Sequence, residues 1–254
     1  MKQNNIKPNN KILKWVLVIV FIIALFLSIN WATYARPPLQ EAIQAMESDD
    51  LVSITQEPWL TFTPNLNKSN TGLIFYPGGR IDPIGYATLM HVISSEGYLV
   101  VVPEMPINMA VFNPSIADDI IAYYPYISNW VIAGHSVGGT MAAQYTIKHR
   151  DSIDGLMIWA SYPAENADIS DFDIPVVSIY GSMDPGVSES SISERKHLLP
   201  EDTNYIRIEG GDHHQFGSYL IQSEEDYAVI SRTSQHEQII QASLDLLHLV
   251  SHEE

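Results

Sequence analysis

A serine between two glycines, in residues 134–138 (GHSVG), carries the clearest chemical signal in this chain. It follows an apolar run at residues 130–133 and precedes a segment with helical composition. A strand, a tight turn and a helix in this order push the serine hydroxyl out above a sheet, and side chains at positions 134 and 138 would collide with neighbouring backbone. The helix N-terminus and the Val137 N–H would face an oxyanion formed beside the serine. The pattern indicates an activated nucleophile at Ser136.

Two later residues are the partners that such a serine needs. Asp184 follows a buried strand predicted over residues 174–181, and His213 follows another predicted over residues 204–208. A histidine with a pKa near neutrality accepts the serine proton, and a carboxylate fixes the tautomer of that histidine. The order Ser, Asp, His, each after its own strand, predicts a triad.

Other interpretations exist for these residues. Asp184 precedes a proline, and Asp-Pro often begins a turn. His213 or His214 is also compatible with a solvated loop, and with Asp212 the pair suggests metal ligands. Adjacent histidines on a loop rarely point the same way, and the sequence shows no second ligand cluster, so we expect no metal.

Three stretches resemble the α/β-hydrolase superfamily: residues 75–80 (FYPGGR), 134–139 (GHSVGG) and 210–217 (GGDHHQFG). More narrowly, over about residues 50–250 the chain is similar to a small lidless branch related to dienelactone-hydrolase-like enzymes, often found behind a membrane anchor. The resemblance implies that His213 rather than His214 is the base, and that the first stretch supplies the second oxyanion donor. Dienelactone hydrolases proper use a cysteine nucleophile. This chain has no cysteine, so we do not expect that activity.

The first of these stretches also predicts the same donor on physical grounds. Residues 71–76 form an apolar strand, followed by Pro77 and two glycines. Glycines after a strand leave backbone N–H groups exposed and let a ligand approach closely. Gly79 is therefore the first candidate to join Val137 in an oxyanion hole, with Arg80 next. A simple turn is the alternative.

The remaining elements predict a mostly parallel sheet with helices on both faces, as in the α/β-hydrolase fold. Residues 51–55 and 59–63 read as an antiparallel pair leading into the sheet, and further strands are predicted over residues 98–102 and 156–160. Helices are predicted over residues 86–96, 115–124, 190–199 and 233–249. This alternation places a site at the carboxyl ends of the strands.

The connection after residue 160 is too short for a lid domain, since only about 15 residues precede the next strand. The site should therefore be open and shallow, which favours small or short-chain esters. Arg80, Met105 and Phe112 are candidate substrate-binding residues because they lie on loops that leave strand ends. A solvated charge for Arg80 and core packing for the other two are the alternatives.

An apolar segment near the N-terminus predicts membrane attachment. Residues 15–35 carry no formal charge and are long enough to cross a bilayer once. Tryptophans 15 and 31 lie near its two ends, and a basic tail, residues 1–14, precedes it. The lysines of that tail are Lys2, Lys7, Lys11 and Lys14. The positive-inside rule then keeps the tail in the cytoplasm and sends the rest of the chain across the membrane.

This organisation makes residues 15–35 a signal anchor, residues 36–48 a linker and residues 49–254 the catalytic domain. The alternative is a secreted protein, cleaved near Ala35.

The charge distribution argues against nucleic acid as a partner. The formal net charge is −17, all 30 acidic residues lie beyond residue 40, and five of the 13 basic residues precede residue 37. The acidic domain would be repelled by phosphates. The absence of cysteine excludes disulfides and thiol catalysis. Neither a metal nor an organic cofactor is implied.

The sequence thus predicts a membrane-anchored serine hydrolase that acts on small-molecule esters through an acyl-enzyme on Ser136. A thioesterase or acyltransferase would use the same residues. A non-catalytic binding protein with the same fold is a further alternative, although a site that has lost its catalytic function usually lacks one of the catalytic residues. A peptidase of this fold would normally need an added lid or propeller domain, for which no residues are available.

Overall fold

The computed structural model describes residues 10–221 and 223–252. The chain forms two units, one ending at Tyr34 and the other beginning at Ala35. The first contains helix α1 (Asn10–Thr33). Within the residues described, no helix combines the length and the apolarity that crossing a membrane requires. Lys2, Lys7 and the side chains of Lys11 and Trp31 lie outside the described residues, so the anchor stays a prediction.

An eight-stranded sheet forms the centre of the second unit. Its strands are β1 (Val52–Thr55), β2 (Leu60–Pro64), β3 (Thr71–Tyr76), β4 (Leu99–Val102), β5 (Asn129–His135), β6 (Gly155–Trp159), β7 (Val176–Gly181) and β8 (Asn204–Ile208). They lie in the order β1-β2-β4-β3-β5-β6-β7-β8. The β1–β2 and β2–β4 pairs are antiparallel, and the other neighbours are parallel. The predicted antiparallel entry into a mostly parallel sheet is confirmed.

Helices cover both faces of this sheet. They are α2 (Gln40–Gln44), α3 (Ala87–Ser95), α4 (Ile116–Tyr123), α5 (Val137–Lys148), α6 (Glu189–Arg195) and α7 (Arg232–His252). Because successive strand residues point to opposite faces, Leu73 of β3 packs into one apolar cluster with α3 and α7, and Ile74 packs into another with α4 and α5. Residues 160–175, between β6 and β7, contain neither helix nor strand.

Residues 36–39, at the start of the second unit, pack on two loops of that unit. We call these residues the strap. The Arg36 N–H donates to the Arg80 carbonyl at 2.7 Å, and the Arg36 guanidinium makes a bidentate ion pair with Glu225 at 2.7 and 2.8 Å. Arg80 belongs to the loop after β3, whereas Glu225 lies beyond His213 in the chain. The strap therefore connects two loops that are far apart in sequence.

Further backbone bonds extend this contact. The Leu220 N–H donates to the Pro37 carbonyl at 2.9 Å, and the Leu39 N–H donates to Ser218 at 2.9 Å. Residues 36–39, at the start of the predicted linker at residues 36–48, thus pack as part of the second unit. The backbone N–H and C=O groups of this segment form hydrogen bonds with loops that are distant in sequence, and no local sequence pattern predicts such bonds.

We expect Arg36→Ala to lower the free energy of unfolding of residues 35–254 by about 1 kcal/mol, because the ion pair is bidentate and partly shielded from water. Urea unfolding measures this change. Arg150→Ala is the matched control, since the Arg150–Asp171 ion pair is more exposed and should contribute less. An equal loss in the two variants would contradict a special role for the strap.

Candidate active site

Ser136 lies in the turn between β5 and α5 with a strained backbone. Its φ of 53° and ψ of −124° fall in a region that residues with a side chain rarely adopt. A Cβ on Gly134 would lie 2.3 Å from the Gly138 carbonyl carbon, and one on Gly138 would lie 2.1 Å from the Tyr76 carbonyl oxygen. The predicted need for glycine at both positions is confirmed. The turn holds the serine at the carboxyl end of the central strand.

His213 and Asp184 meet beside this turn. The His213 Nδ1 lies 2.7 Å from Asp184 Oδ2, and the Asp184 side chain is fully buried. The other carboxyl oxygen accepts the N–H groups of Gly186 and Val187 at 2.7 and 2.9 Å. A carboxylate held in this way accepts the Nδ1 proton, so the lone pair of the neutral ring is on Nε2. His213 therefore has the tautomer of a general base.

The neighbouring His214 has different partners. Its N–H donates to Asp212 Oδ1 at 3.0 Å, and its ring stands perpendicular to the His213 ring at a centroid distance of 5.4 Å. Burial, followed by the charges of His213 and Arg36, lowers the pKa of His214. Asp212 is buried and also accepts the Gln215 and Tyr227 N–H groups. Asp212 thus shapes the loop, while Asp184 orients the ring of His213.

Ser136 and His213 line one cavity of about 260 Å³, together with Val137, Thr140, Ala160, Ser161, Tyr162, Gly186 and Val187. Within the described part of the chain, no hydrogen bond joins Ser136 to His213. Such bonds are often long without substrate and tighten when it binds. Part of the cavity wall comes from the segments after β6 and β7, and Ala160, directly after β6, adopts a φ of 43°.

The two predicted oxyanion donors are adjacent in space. A Cβ on Gly79 would lie 3.2 Å from the Val137 Cγ1. Among the described residues, neither the Gly79 nor the Val137 N–H has a protein acceptor. The Arg80 N–H, the second candidate, donates to the Asn108 carbonyl at 2.7 Å. This leaves Gly79 and Val137 as the pair of donors available to a ligand.

The predicted substrate-binding residues do not line the cavity. Met105 is buried in the apolar cluster that contains Tyr76 and Ala110, and Phe112 is 59% exposed. Arg80 takes part in the turn after β3 with a φ of 59°. Thr140, Ala160, Ser161 and Tyr162 line the cavity although the sequence did not suggest them. Thr140 lies four residues after Ser136 in α5, and the other three lie at the carboxyl end of β6, which was the available signal.

A third histidine beneath the His213 loop is expected to make stability sensitive to acid. Burial lowers the pKa of His236, in α7, to about 4 from an ordinary value of 6.5. Between these pH values His236 is protonated in the unfolded chain and neutral in the folded protein. The free energy of unfolding therefore falls as the pH is lowered from about 6.5 to 4. His236→Gln should remove up to about 3 kcal/mol of this loss.

Urea unfolding at pH 7.0, 5.5 and 4.5 measures that difference. His197→Gln provides the control, because the His197 side chain is exposed. A wild-type slope retained in His236→Gln would assign the acid sensitivity to other groups.

Sequence comparison agrees with the fold. A model of the alpha/beta hydrolase family matches residues 72–237, which include β3, the Ser136 turn, Asp184 and His213. The chain therefore belongs to the alpha/beta hydrolase family. No curated protein matches the sequence.

Solved structures share the fold at low sequence identity. A CIB-like hydrolase from Thermoplasma acidophilum has a TM-score of 0.58 at 16% identity, covering 78% of this chain and 98% of its own. The esterase Est2 from Thermogutta terrifontis has a TM-score of 0.56 at 11% identity, covering 87% and 98%. Est1E from Butyrivibrio proteoclasticus, solved with ferulic acid bound, has a TM-score of 0.55 at 12% identity, covering 77% and 98%.

Proposed function

We propose that this protein is a serine hydrolase that cleaves small or short-chain carboxylic esters. The observation that carries the proposal is the pairing of His213 with the buried Asp184 on the wall of the cavity that also contains the strained Ser136. In the proposed triad Ser136 is the nucleophile, His213 the general base and then acid, and Asp184 the residue that fixes the tautomer of His213.

The reaction would proceed in two halves. Ser136 Oγ attacks the ester carbonyl carbon while its proton passes to His213 Nε2, and the N–H groups of Val137 and Gly79 hold the developing oxyanion. The carbon–oxygen bond to the alcohol then breaks, and His213 returns the proton to the leaving alcohol. Water, deprotonated by His213, attacks the acyl-enzyme and releases the acid and the free serine.

The size and chemistry of the cavity support a small substrate. Pockets for drug-sized ligands span about 300–1,000 Å³, and this one measures about 260 Å³. Thr140 donates to the Tyr162 carbonyl at 3.0 Å, and its hydroxyl lies 3.0 Å from that of Ser161, so these hydroxyls are engaged with each other and with the protein. Val187 and Ala160 supply apolar surface. Such a wall suits a short acyl or alcohol group.

The structural neighbours support the ester class, since one of them is named an esterase and another was solved with the carboxylic acid ferulic acid. The test is a series of p-nitrophenyl esters from acetate to dodecanoate, assayed with residues 35–254. We expect kcat/KM to stop rising beyond about butyrate, because a methylene that stays in water gains none of the roughly 0.8 kcal/mol that its burial would supply. A kcat/KM that rises steadily with acyl length would refute the short-chain assignment.

We also propose that residues 15–35 anchor the protein in a membrane, with residues 1–14 in the cytoplasm and the hydrolase unit on the other side. The uncharged apolar run and the four lysines before it support this orientation. Alkaline extraction of membranes from cells that express the full chain tests whether residues 15–35 anchor it. Retention in the membrane fraction is expected, and release of full-length protein would refute the anchor.

A further inference from the structure

Two fully buried polar side chains, Tyr86 and His135, link the loop after β3 to the loop that carries His213. The Gly78 N–H donates to the Tyr86 hydroxyl at 2.9 Å. The Tyr86 hydroxyl lies 2.8 Å from His135 Nδ1, and His135 Nε2 lies 3.0 Å from the His213 carbonyl oxygen. Both side chains are 0% exposed. We call this chain, from Gly78 through Tyr86 and His135 to His213, the buried relay.

The direction of each hydrogen bond in the buried relay follows from its ends. A carbonyl oxygen only accepts, so His135 Nε2 carries a proton and donates to His213. Burial, followed by the nearby His213, lowers the pKa of His135 well below its usual value, so its ring is neutral and Nδ1 accepts. Tyr86 must then donate to Nδ1, and its oxygen accepts the proton of Gly78. Every donor and acceptor along the relay is satisfied in one arrangement.

The residues around the Tyr86 hydroxyl are packed too closely for a water molecule to replace it. A Cβ on Gly78 would lie 2.6 Å from His135 Nδ1 and 2.9 Å from the Tyr86 oxygen. The His135 ring stacks on Phe216 with an interplanar angle of 11°, and the Tyr86 ring lies 4.7 Å from that of Phe75. Water needs a roomy polar site to replace a lost hydroxyl. Removal of the Tyr86 oxygen therefore leaves the Gly78 N–H and His135 Nδ1 unsatisfied.

We propose that Tyr86 and His135 are positioning residues. They fix the relative positions of Gly79, Ser136 and His213, and this role rests on the proposed hydrolase function. Three residues of the buried relay adjoin or belong to the proposed catalytic groups. Gly78 precedes the proposed donor Gly79, His135 precedes Ser136, and the carbonyl that accepts from His135 belongs to His213 itself. Errors of about 1 Å in such placements can cost about 100-fold in rate.

The test compares Tyr86→Phe with Tyr219→Phe. Tyr219 is also 0% exposed, its ring lies 6.2 Å from that of Tyr86, and its hydroxyl has no hydrogen-bond partner among the described residues. We expect Tyr86→Phe to lower kcat on a short-chain ester about 10- to 100-fold with KM changed less than about twofold, and Tyr219→Phe to leave both within about twofold. A purely structural role would lower the melting temperature of Tyr86→Phe and leave kcat of the folded protein unchanged.

A second pair of variants separates hydrogen bonding from packing. His135→Gln can still accept from Tyr86 and donate to His213, whereas His135→Leu can do neither. We expect the glutamine variant to retain at least about tenfold more kcat than the leucine variant at a temperature where both are folded. Equal kcat in the two variants would overturn the relay.

Nitrogen-15 NMR of the histidine side chains provides a readout independent of turnover. The wild type should show His135 as the neutral tautomer protonated at Nε2, and Tyr86→Phe should shift its Nδ1 resonance. That tautomer together with unchanged kcat in Tyr86→Phe would overturn the positioning role and leave the hydrolase function intact. Absence of turnover in a wild type with the expected tautomer would instead overturn the hydrolase proposal, and the positioning role with it.

Discussion

Replacing Ser136 by alanine is expected to lower kcat on a short-chain ester by about 10⁵-fold or more while the protein remains folded. The acyl-enzyme cannot form without the hydroxyl, and removing a nucleophile of this kind leaves only the rate that binding and the oxyanion donors supply. The Ser136 side chain makes no hydrogen bond among the described residues, so its loss should cost little stability. Initial rates and urea unfolding, measured on the same preparation, test both parts.

Ser161→Ala is the matched control for this change. Ser161 lines the same cavity and is also largely buried, but its hydroxyl lies 3.0 Å from that of Thr140, in a contact distinct from the triad. We expect less than about a tenfold change in kcat for that variant. A fluorophosphonate probe should label the wild type and Ser161→Ala, and should not label Ser136→Ala. Labelling of a folded Ser136→Ala protein would assign the nucleophile to another residue.

Asp184→Asn should lower kcat by about 10⁴-fold, the second-largest effect we expect. Because the Gly186 and Val187 N–H groups both point at one oxygen of Asp184, an amide placed there would present its NH₂ group to His213. His213 Nδ1 would then accept rather than donate, and its proton would lie on Nε2, where it blocks transfer from Ser136. The loss should therefore appear in kcat, with KM changed little.

Asp212→Asn provides the comparison for Asp184→Asn. Asp212 is equally buried in the adjacent loop, but its partners are backbone N–H groups rather than the His213 ring. We expect Asp212→Asn to reduce the free energy of unfolding by about 1–3 kcal/mol and to affect kcat of the folded protein much less than Asp184→Asn. Similar kcat losses in the two variants would show that loop integrity, rather than the tautomer of His213, limits the rate.

Much of the fold could be predicted from residue patterns. The predicted strands at residues 71–76 and 204–208 agree with β3 and β8, and the predicted helix at residues 233–249 lies within α7. The helix is long, and proline or glycine follows each of the two strands within two residues. The helix predicted over residues 190–199 ends earlier, since α6 stops at Arg195 and a short 3₁₀ turn follows. Boundaries of this kind depend on end contacts that propensity does not encode.

Local patterns were enough to predict Ser136, Asp184 and His213 as candidate site residues, because each follows a strand and a tight turn. The surroundings of these residues depend on the folded chain. The folded chain places His213 rather than His214 against Asp184, puts Met105 in the core and packs the strap on the Arg80 loop. It also buries Tyr86 against His135, 49 residues apart in sequence. Contacts between residues so distant form only when the sheet brings strand ends together, so the spacing along the chain carries no record of them.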